Sequence, residues 1–271
     1  MKRLALLLVI FLSGCTSPLT TFERSIIYQG RPDPTPVTQE DIFFSSDDGT
    51  KLHGRYLETP NPRGIILYCH GNAGSVASWS EAASELQTKH QCSVFLFDYR
   101  GYGKSGGLPT ESGVLRDARA ARRWLAERAG VQENDIVLLG RSLGGGVAVD
   151  LAASDGARGL ILQSTFPSLP EVAACHVPWM LPRWLMSERF DSINKIKHYQ
   201  GPLLQSHGDR DTLIPIELAK QLYEAAPGKK TFVKIPHGSH NTPPDEAYHQ
   251  VLQYFLNVLA PGESPGLVRA K

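Results

Sequence analysis

Four cysteines in 271 residues are too few for a disulfide scaffold. No charge of one sign dominates, since 28 Lys and Arg face 27 Asp and Glu for a net +1. That balance leaves no electrostatic footprint for nucleic acid or another polyanion. Long hydrophobic runs are missing too: Leu4 to Leu12 are nine apolar residues, far short of the ~20 that span a bilayer as a helix. No internal repeat and no metal-ligand spacing appears, because His237 and His240 alone are too little for a metal site. No cofactor is expected. What remains, 41% hydrophobic and 20% charged residues, is ordinary globular composition that excludes wholesale disorder.

The N-terminus reads as an address. Lys2 and Arg3, the apolar run and Ser13-Gly14 give the charged, apolar and small regions of a secretory signal peptide. Leu12-Ser13-Gly14-Cys15 resembles the bacterial lipobox, which implies removal of residues 1–14 and acylation of Cys15. The alternative is a plain signal peptide with an incidental cysteine. Two acyl chains, at about 0.8 kcal/mol per buried methylene, make a stable anchor. Thr16 stands where Gram-negative lipoproteins retained at the inner membrane carry Asp, which favours an exported protein lipid-anchored to the outer membrane. Residues 15–38 are rich in Thr, Ser and Pro and read as a lipidated tether, with Phe22 to Tyr28 the stretch able to pack on a domain surface. The domain proper is expected over 39–260, and 261–271, with Pro and Gly, as a flexible tail.

Between these ends the chain alternates strand and helix. Ile42-Phe43-Phe44 and Leu52 to Leu57 flank Asp47-Asp48-Gly49, a hairpin signal. Apolar runs bounded by turn residues follow at 64–69, 93–97, 135–140, 159–163, 202–206 and 231–235. Val114, Ala118, Ala121 and Leu125 recur at helical spacing, as do Val251, Leu252, Phe255 and Leu259. The pattern predicts a mostly parallel eight-stranded sheet with helices on both faces. Sites in such sheets form at the carboxyl ends of strands.

The residues at those ends carry chemistry. Gly140-Arg141-Ser142-Leu143-Gly144 lies between a buried strand and a helical stretch, the context that turns G-x-S-x-G into a nucleophile elbow. The turn is too tight for side chains two residues to either side, and it pushes Ser142 outward at a helix start that favours negative charge. A tetrahedral intermediate also needs N–H donors for its oxyanion. Leu143 supplies one, and the loop His70-Gly71-Asn72-Ala73-Gly74 the other, from Asn72 with Ala73 as alternative. His70 reads as a loop-fixing residue. Serine further needs a base oriented by an acid, in the order Ser, Asp, His. Asp211 is preferred to Asp209, which sits in the tight turn itself; His240, after Gly238-Ser239, is preferred to His237. The glycine-rich stretch Asp98 to Gly106 matches no phosphate-binding loop. It reads as a turn fixed internally by Asp98 and Arg100.

With these motifs and Phe97 to Ser105 in place, the chain resembles an α/β-hydrolase-fold serine hydrolase. Within that family it resembles the branch of the protein depalmitoylases and their bacterial relatives. The resemblance spans about Phe22 to Leu259 and implies Ser142 as nucleophile, Asp211 as acid and His240 as base. Ser239 departs from the glycine that many relatives have before the histidine. Because the lipobox implies export, a cytosolic substrate set does not transfer.

Residues 165–199 are too long for a simple connection and dense in Trp, Met, Leu and Pro. They read as a small apolar lid over an acyl group; the alternative is that they only cover the core. The expectation is a carboxylesterase or thioesterase acting on short to medium acyl chains, with small-molecule, lipid-like substrates included. A peptidase or amidase on the same residues, or a non-catalytic surface binding module, are the alternatives. Cys69, Cys92 and Cys175 allow at most one disulfide.

Overall fold

A computed structural model describes residues 18–176 and 186–259. The signal peptide, Cys15, the tail and the apolar lid residues 177–185 lie outside the described residues. In chain order the elements are α1 (Pro18–Ile27), β1 (Gln29–Gly30), β2 (Ile42–Ser45), β3 (Lys51–Leu57), β4 (Gly64–Cys69), β5 (Ala73–Gly74), α2 (Val76–His90), β6 (Cys92–Asp98) and α3 (Glu111–Ala129). Then follow β7 (Val137–Arg141), α4 (Leu143–Asp155), β8 (Gly159–Gln163), α5 (Leu169–His176), α6 (Ser192–Lys195), β9 (Leu203–Gly208), α7 (Ile216–Ala225), β10 (Lys230–Ile235) and α8 (Glu246–Leu259).

Eight strands form one sheet in the order β10-β9-β8-β7-β4-β6-β3-β2, and β1 with β5 form a separate parallel pair. β2 and β3 pair antiparallel, as do β3 and β6; the remaining ladders are parallel. The strands alternate their burial between two cores, as a period of two requires. Ile66, Val94, Leu139, Ile161 and Leu204 face α2 and α8, through Val76, Leu86, Leu252 and Leu256. Leu67, Phe95, Leu138, Leu160 and Leu203 face α3, α4 and α7, through Val114, Leu125, Val147 and Leu222. The chain runs from β4 outward to β6 and then crosses to β7 on β4's other side. That switch opens a crevice beyond the carboxyl ends of β4 and β7, just where His70 to Gly74 and Ser142 stand.

Local chemistry explains the elements. Thr110 caps α3 by accepting the N–H of Gly113 at 3.0 Å, and Gly130 ends it in a left-handed conformation at φ 67°. β7 begins at Val137 rather than 135, because Asp135 closes a one-turn 3-10 helix and accepts the N–H of Gln132. Asp98 accepts from the N–H of Val76 and pairs with His53 at 2.6 Å, while Arg100 is held by Asp117 and Asp48. Within the glycine-rich turn Asp98 also accepts the N–H of Lys104, while Arg100 fixes the turn from outside, through Asp48 and Asp117. Cys69, Cys92 and Cys175 are all free thiols, so among the described residues no disulfide forms.

Within the tether expected over 15–38, the packing expected of Phe22 to Tyr28 is seen and extends on to Asp33. From Pro18 to Asp33 the chain is docked rather than free: Tyr28 is buried, β1 pairs with β5, and Asp33 donates its N–H to Gly103 O at 3.0 Å. Glu188, buried beneath α1, accepts from Tyr28 Oη at 2.5 Å, Arg24 Nε at 2.8 Å and the N–H of Glu111 at 2.5 Å. The lid is shorter than expected. Ile196 and Tyr199 are buried with α4 in the core, so the stretch from α6 onward is part of the scaffold. Tyr28→Phe removes one hydrogen bond to a buried carboxylate, and chemical denaturation should register a loss of about 1.5–3 kcal/mol. An unchanged unfolding free energy would show that α1 is not held by this bond.

Candidate active site

β7 ends at Arg141 and α4 starts at Leu143, so Ser142 alone makes the turn, at φ 52° and ψ −118°. A non-glycine residue in such a conformation costs about 1–3 kcal/mol and persists only where its surroundings enforce it. The neighbouring strand does so here. Ser142 N–H donates to Gln163 O at 2.9 Å, and Thr165 Oγ1 donates to Ser142 O at 2.9 Å. Two glycines allow the close approach. A Cβ on Gly140 would stand 2.7 Å from Gly145 Cα, and one on Gly144 would fall on Cys69 O and 2.5 Å from His70 O. The Ser142 hydroxyl makes no capping bond to its own helix.

It meets His240 instead. His240 Nε2 is 3.0 Å from Ser142 Oγ, and His240 Nδ1 is 2.8 Å from Asp211 Oδ2. The carboxylate can only accept, so Nδ1 carries the proton and Nε2 is left as an acceptor toward the hydroxyl. Asp211 Oδ1 accepts the N–H groups of Leu213 at 2.9 Å and Ile214 at 2.8 Å. His207 Nε2 lies 3.1 Å from Asp211 Oδ2 and 2.8 Å from Ile214 O. Both are acceptors, so that nitrogen is a donor. Burial works against ionisation of Asp211, but hydrogen bonds from His207, His240 and the Ile214 N–H outweigh it and hold the carboxyl well below the usual range.

The competing residues take other places. Asp209 Oδ1 accepts the N–H of His237 at 2.6 Å, which ties the loop after β10 to the loop after β9. His237, at φ 57°, is a turn residue and not a partner of Ser142. His70 is fully buried, its ring 4.3 Å from that of Tyr99, and burial depresses its pKa. Its carbonyl accepts from Tyr99 Oη at 2.9 Å, which fixes the loop after β4.

Leu143 opens α4, so its N–H has no intrahelical partner. Asn72 reaches the same cavity, and its side chain is anchored by the Gln29 N–H at 3.0 Å and Tyr102 Oη at 2.8 Å. Ala73, the alternative, borders the same cavity and is paired with β1. Ser142, His240, Asn72 and Leu143 together border one cavity of about 690 Å³. Its remaining walls are mostly apolar: Phe22, Ile26 and Ile27 of α1, Leu169 and Val172 of α5, and Phe166, Met186 and Leu213.

The profile of the α/β-hydrolase fold family matches residues 64–191. An uncharacterized protein of Mycobacterium tuberculosis is 36% identical over 241 residues, 85% of either chain. The alpha/beta hydrolase domain-containing protein WAV2 of Arabidopsis thaliana is 31% identical over 277 aligned residues, 90% of either chain. The chain belongs to the α/β-hydrolase family. Among solved structures, the esterase Pf2001 of Pyrococcus furiosus shares the fold with a TM-score of 0.66, covering 85% of this chain and 97% of that one at 21% identity.

Several residues of this α/β hydrolase's site were not legible beforehand. His207 follows an apolar run in the sequence and gives no sign that it will bond Asp211. Arg141 lines the cavity although it is the second residue of the elbow motif. Packing of Phe22 to Tyr28 on the domain was expected, but not that α1 would wall the cavity.

The Asp211 carboxyl has a stability signature. Its folded pKa is depressed, so its contribution is complete above the ordinary Asp value of about 3.9 and is lost as pH falls through the lower folded value. The melting-temperature gap between wild type and Asp211→Asn should be widest near neutrality and narrow progressively below about pH 4. A gap independent of pH would mean that the hydrogen bonds do not depress the carboxyl.

Proposed function

We propose that the protein is a serine hydrolase that cleaves carboxylic esters or thioesters through an acyl-enzyme. One observation carries the reading: His240 spans Ser142 Oγ at 3.0 Å and the Asp211 carboxylate at 2.8 Å beside an apolar cavity. Ser142 Oγ attacks the carbonyl carbon while His240 Nε2 takes its proton. The N–H groups of Leu143 and Asn72 stabilise the oxyanion, each worth about 2.7–4 kcal/mol. The intermediate collapses, the C–O or C–S bond breaks, and His240 returns the proton to the leaving alkoxide or thiolate. Water then attacks the acyl-enzyme with His240 again as base, releasing the acid and restoring Ser142. Asp211 holds the imidazole tautomer throughout. The likeness to the depalmitoylase branch brings thioesters into the substrate class, and the modest size of the lid, whose residues Leu169, Val172 and Met186 line the cavity, is the ground for proposing short to medium acyl chains.

The protein is further proposed to be exported and lipid-anchored at Cys15, in an outer membrane. α1 begins at Pro18, three residues after Cys15, and walls the cavity. An acylated Cys15 therefore holds the cavity close to the membrane, which suits lipid-like substrates.

A fluorophosphonate should label Ser142, and Ser142→Ala or His240→Ala should lower turnover of p-nitrophenyl esters by roughly 10⁴-fold or more. Asp211→Asn should do the same and Asp209→Asn should not; the reverse would move the acid to Asp209. The ester series should peak at short to medium chains, and a peak at very long ones contradicts the proposed chain-length preference. Preferential cleavage of amides would make the protein a peptidase or amidase, and absence of labelling would leave a binding module. Separately, Cys15→Ser should shift the protein from the membrane pellet to the soluble fraction, and an unchanged pellet rules the anchor out.

A further inference from the structure

Two other buried arginines of this fold and one half-buried one have acceptors, with only Arg122 Nη1 left over. Arg100 pairs with Asp117 at 2.7 Å and Asp48 at 2.9 Å. Arg122 donates to Glu133 O at 2.6 Å and to Asn134. Arg119, half-buried, pairs with Asp150 and Asp155. Arg141 differs. It keeps only 8% of its exposure, yet among the described residues no carboxylate stands at salt-bridge distance from it. Of its five N–H donors, one side-chain bond is made, from Nη2 to His240 O at 3.1 Å. The guanidinium stands 5.5 Å from the centre of the Trp79 ring. The nearby hydroxyls of Tyr68 and Tyr248 are kept protonated by burial and supply no counter-charge.

Burying an unpaired cation is costly unless something pairs it. Arg141 borders the cavity, so the missing partner can arrive there. The cavity's own carboxylate is spent elsewhere: Glu23 accepts from Ser187 N–H at 3.1 Å, Ser187 Oγ at 2.7 Å and Glu188 N–H at 3.0 Å. The planar fork of an arginine fits a carboxylate or phosphate, through two parallel hydrogen bonds. Arg141 precedes Ser142 directly and bonds the backbone of His240, so an anion on it lies next to the reacting carbonyl. Apart from Glu23 and His176, the wall that α1 and α5 supply is apolar.

We propose that Arg141 is a substrate-binding residue that recognises an anionic oxygen group, carboxylate or phosphate, carried by the ester close to the carbonyl that Ser142 attacks. The inference rests on the proposed ester hydrolysis and narrows its substrate class to amphiphilic anionic esters, with the apolar chain along α1 and α5.

Two matched pairs test it and separate the sources of charge. Mono-p-nitrophenyl glutarate against p-nitrophenyl butyrate places the anion on the acyl side. 1-Octanoylglycerol 3-phosphate against 1-octanoylglycerol places it on the alcohol side. Wild type should favour the anionic member of at least one pair in kcat/KM. In Arg141→Gln that preference should fall by roughly ten- to a hundredfold, the range of a charge-assisted hydrogen bond, mostly through KM. Arg141→Lys should keep part of it. Preference for the neutral member of both pairs by wild type overturns the inference without reference to any variant. So does a fall in both members of a pair together, which would make Arg141 only a prop for the His240 loop; ester hydrolysis would stand in either case. No turnover of any of the four substrates together with no fluorophosphonate labelling removes the proposed function, and the inference with it.

Discussion

The site depends on one backbone conformation. Ser142 must hold a positive φ between β7 and α4, a state its side chain disfavours. Within the turn only the Gly145 N–H bonds Ser142, through its carbonyl at 2.9 Å, and most of the support lies outside it. It comes from the end of β8, where Gln163 takes the Ser142 N–H, and from the loop just after it, where Thr165 donates to the Ser142 carbonyl. It also depends on the missing side chains of Gly140 and Gly144, which let the start of α4 lie against the end of β4. The same close approach sets Leu143 N–H beside the loop after β4. One constraint thus aims the hydroxyl and brings the two candidate oxyanion donors to one cavity.

The acid and the base are held by a separate arrangement at the ends of β9 and β10. The two aspartates after β9 divide the work. Asp209 fastens the neighbouring loop through the His237 N–H, and Asp211 receives two backbone N–H groups, His207 and His240. Four donors around one buried carboxylate keep it ionised despite the loss of water. A charged acceptor at Nδ1 fixes the His240 tautomer. The distance between loops matters more here than any single pairwise strength, because the imidazole must meet groups from two different strand ends at once.

Much of this was legible in the sequence because it is local. Strands at 64–69 and 159–163 are continuous apolar runs, and the structure places strands over the same residues. The elbow declares itself by glycine spacing, and Ser142, Asp211 and His240, chosen by their offsets from strand ends, stand within hydrogen-bond reach. What was hidden depends on contacts between distant segments. Nothing near Tyr28 in the chain shows that Glu188, 160 residues away, will receive its hydroxyl. Pro32, Pro34 and Pro36 correctly forbid helix, but a proline-rich stretch can lie flat on a surface as readily as it can swing free. The length of 165–199 suggested one lid, whereas burial of Ile196 and Tyr199 divides it into lid and scaffold.

The hidden part is also the part that shapes the cavity. The sheet and elbow position Ser142 and its partners, features broad enough to recur in α/β hydrolases of different specificity. The far wall is built from α1 and α5, the one preceding the family match at residue 64 and the other inserted after β8. Glu23 and Glu188 tie α1 to residues 187–188, and the next residue, Arg189, accepts the N–H of Leu169 at the start of α5. A change in α1 therefore alters the lid as well as the wall, without touching Ser142. Arg141 stands at the opposite limit, inside the elbow motif itself and next to the reacting hydroxyl. On the proposed function, selectivity for the chain and selectivity for the charge fall to different elements, one tuned by packing of exposed and half-buried apolar side chains, the other by a single buried cation. The first can drift by small steps of volume, since a methylene is worth about 1–3 kcal/mol in a hydrophobic pocket. The second cannot, because a guanidinium deprived of its anion keeps donors that no carboxylate among the described residues pairs.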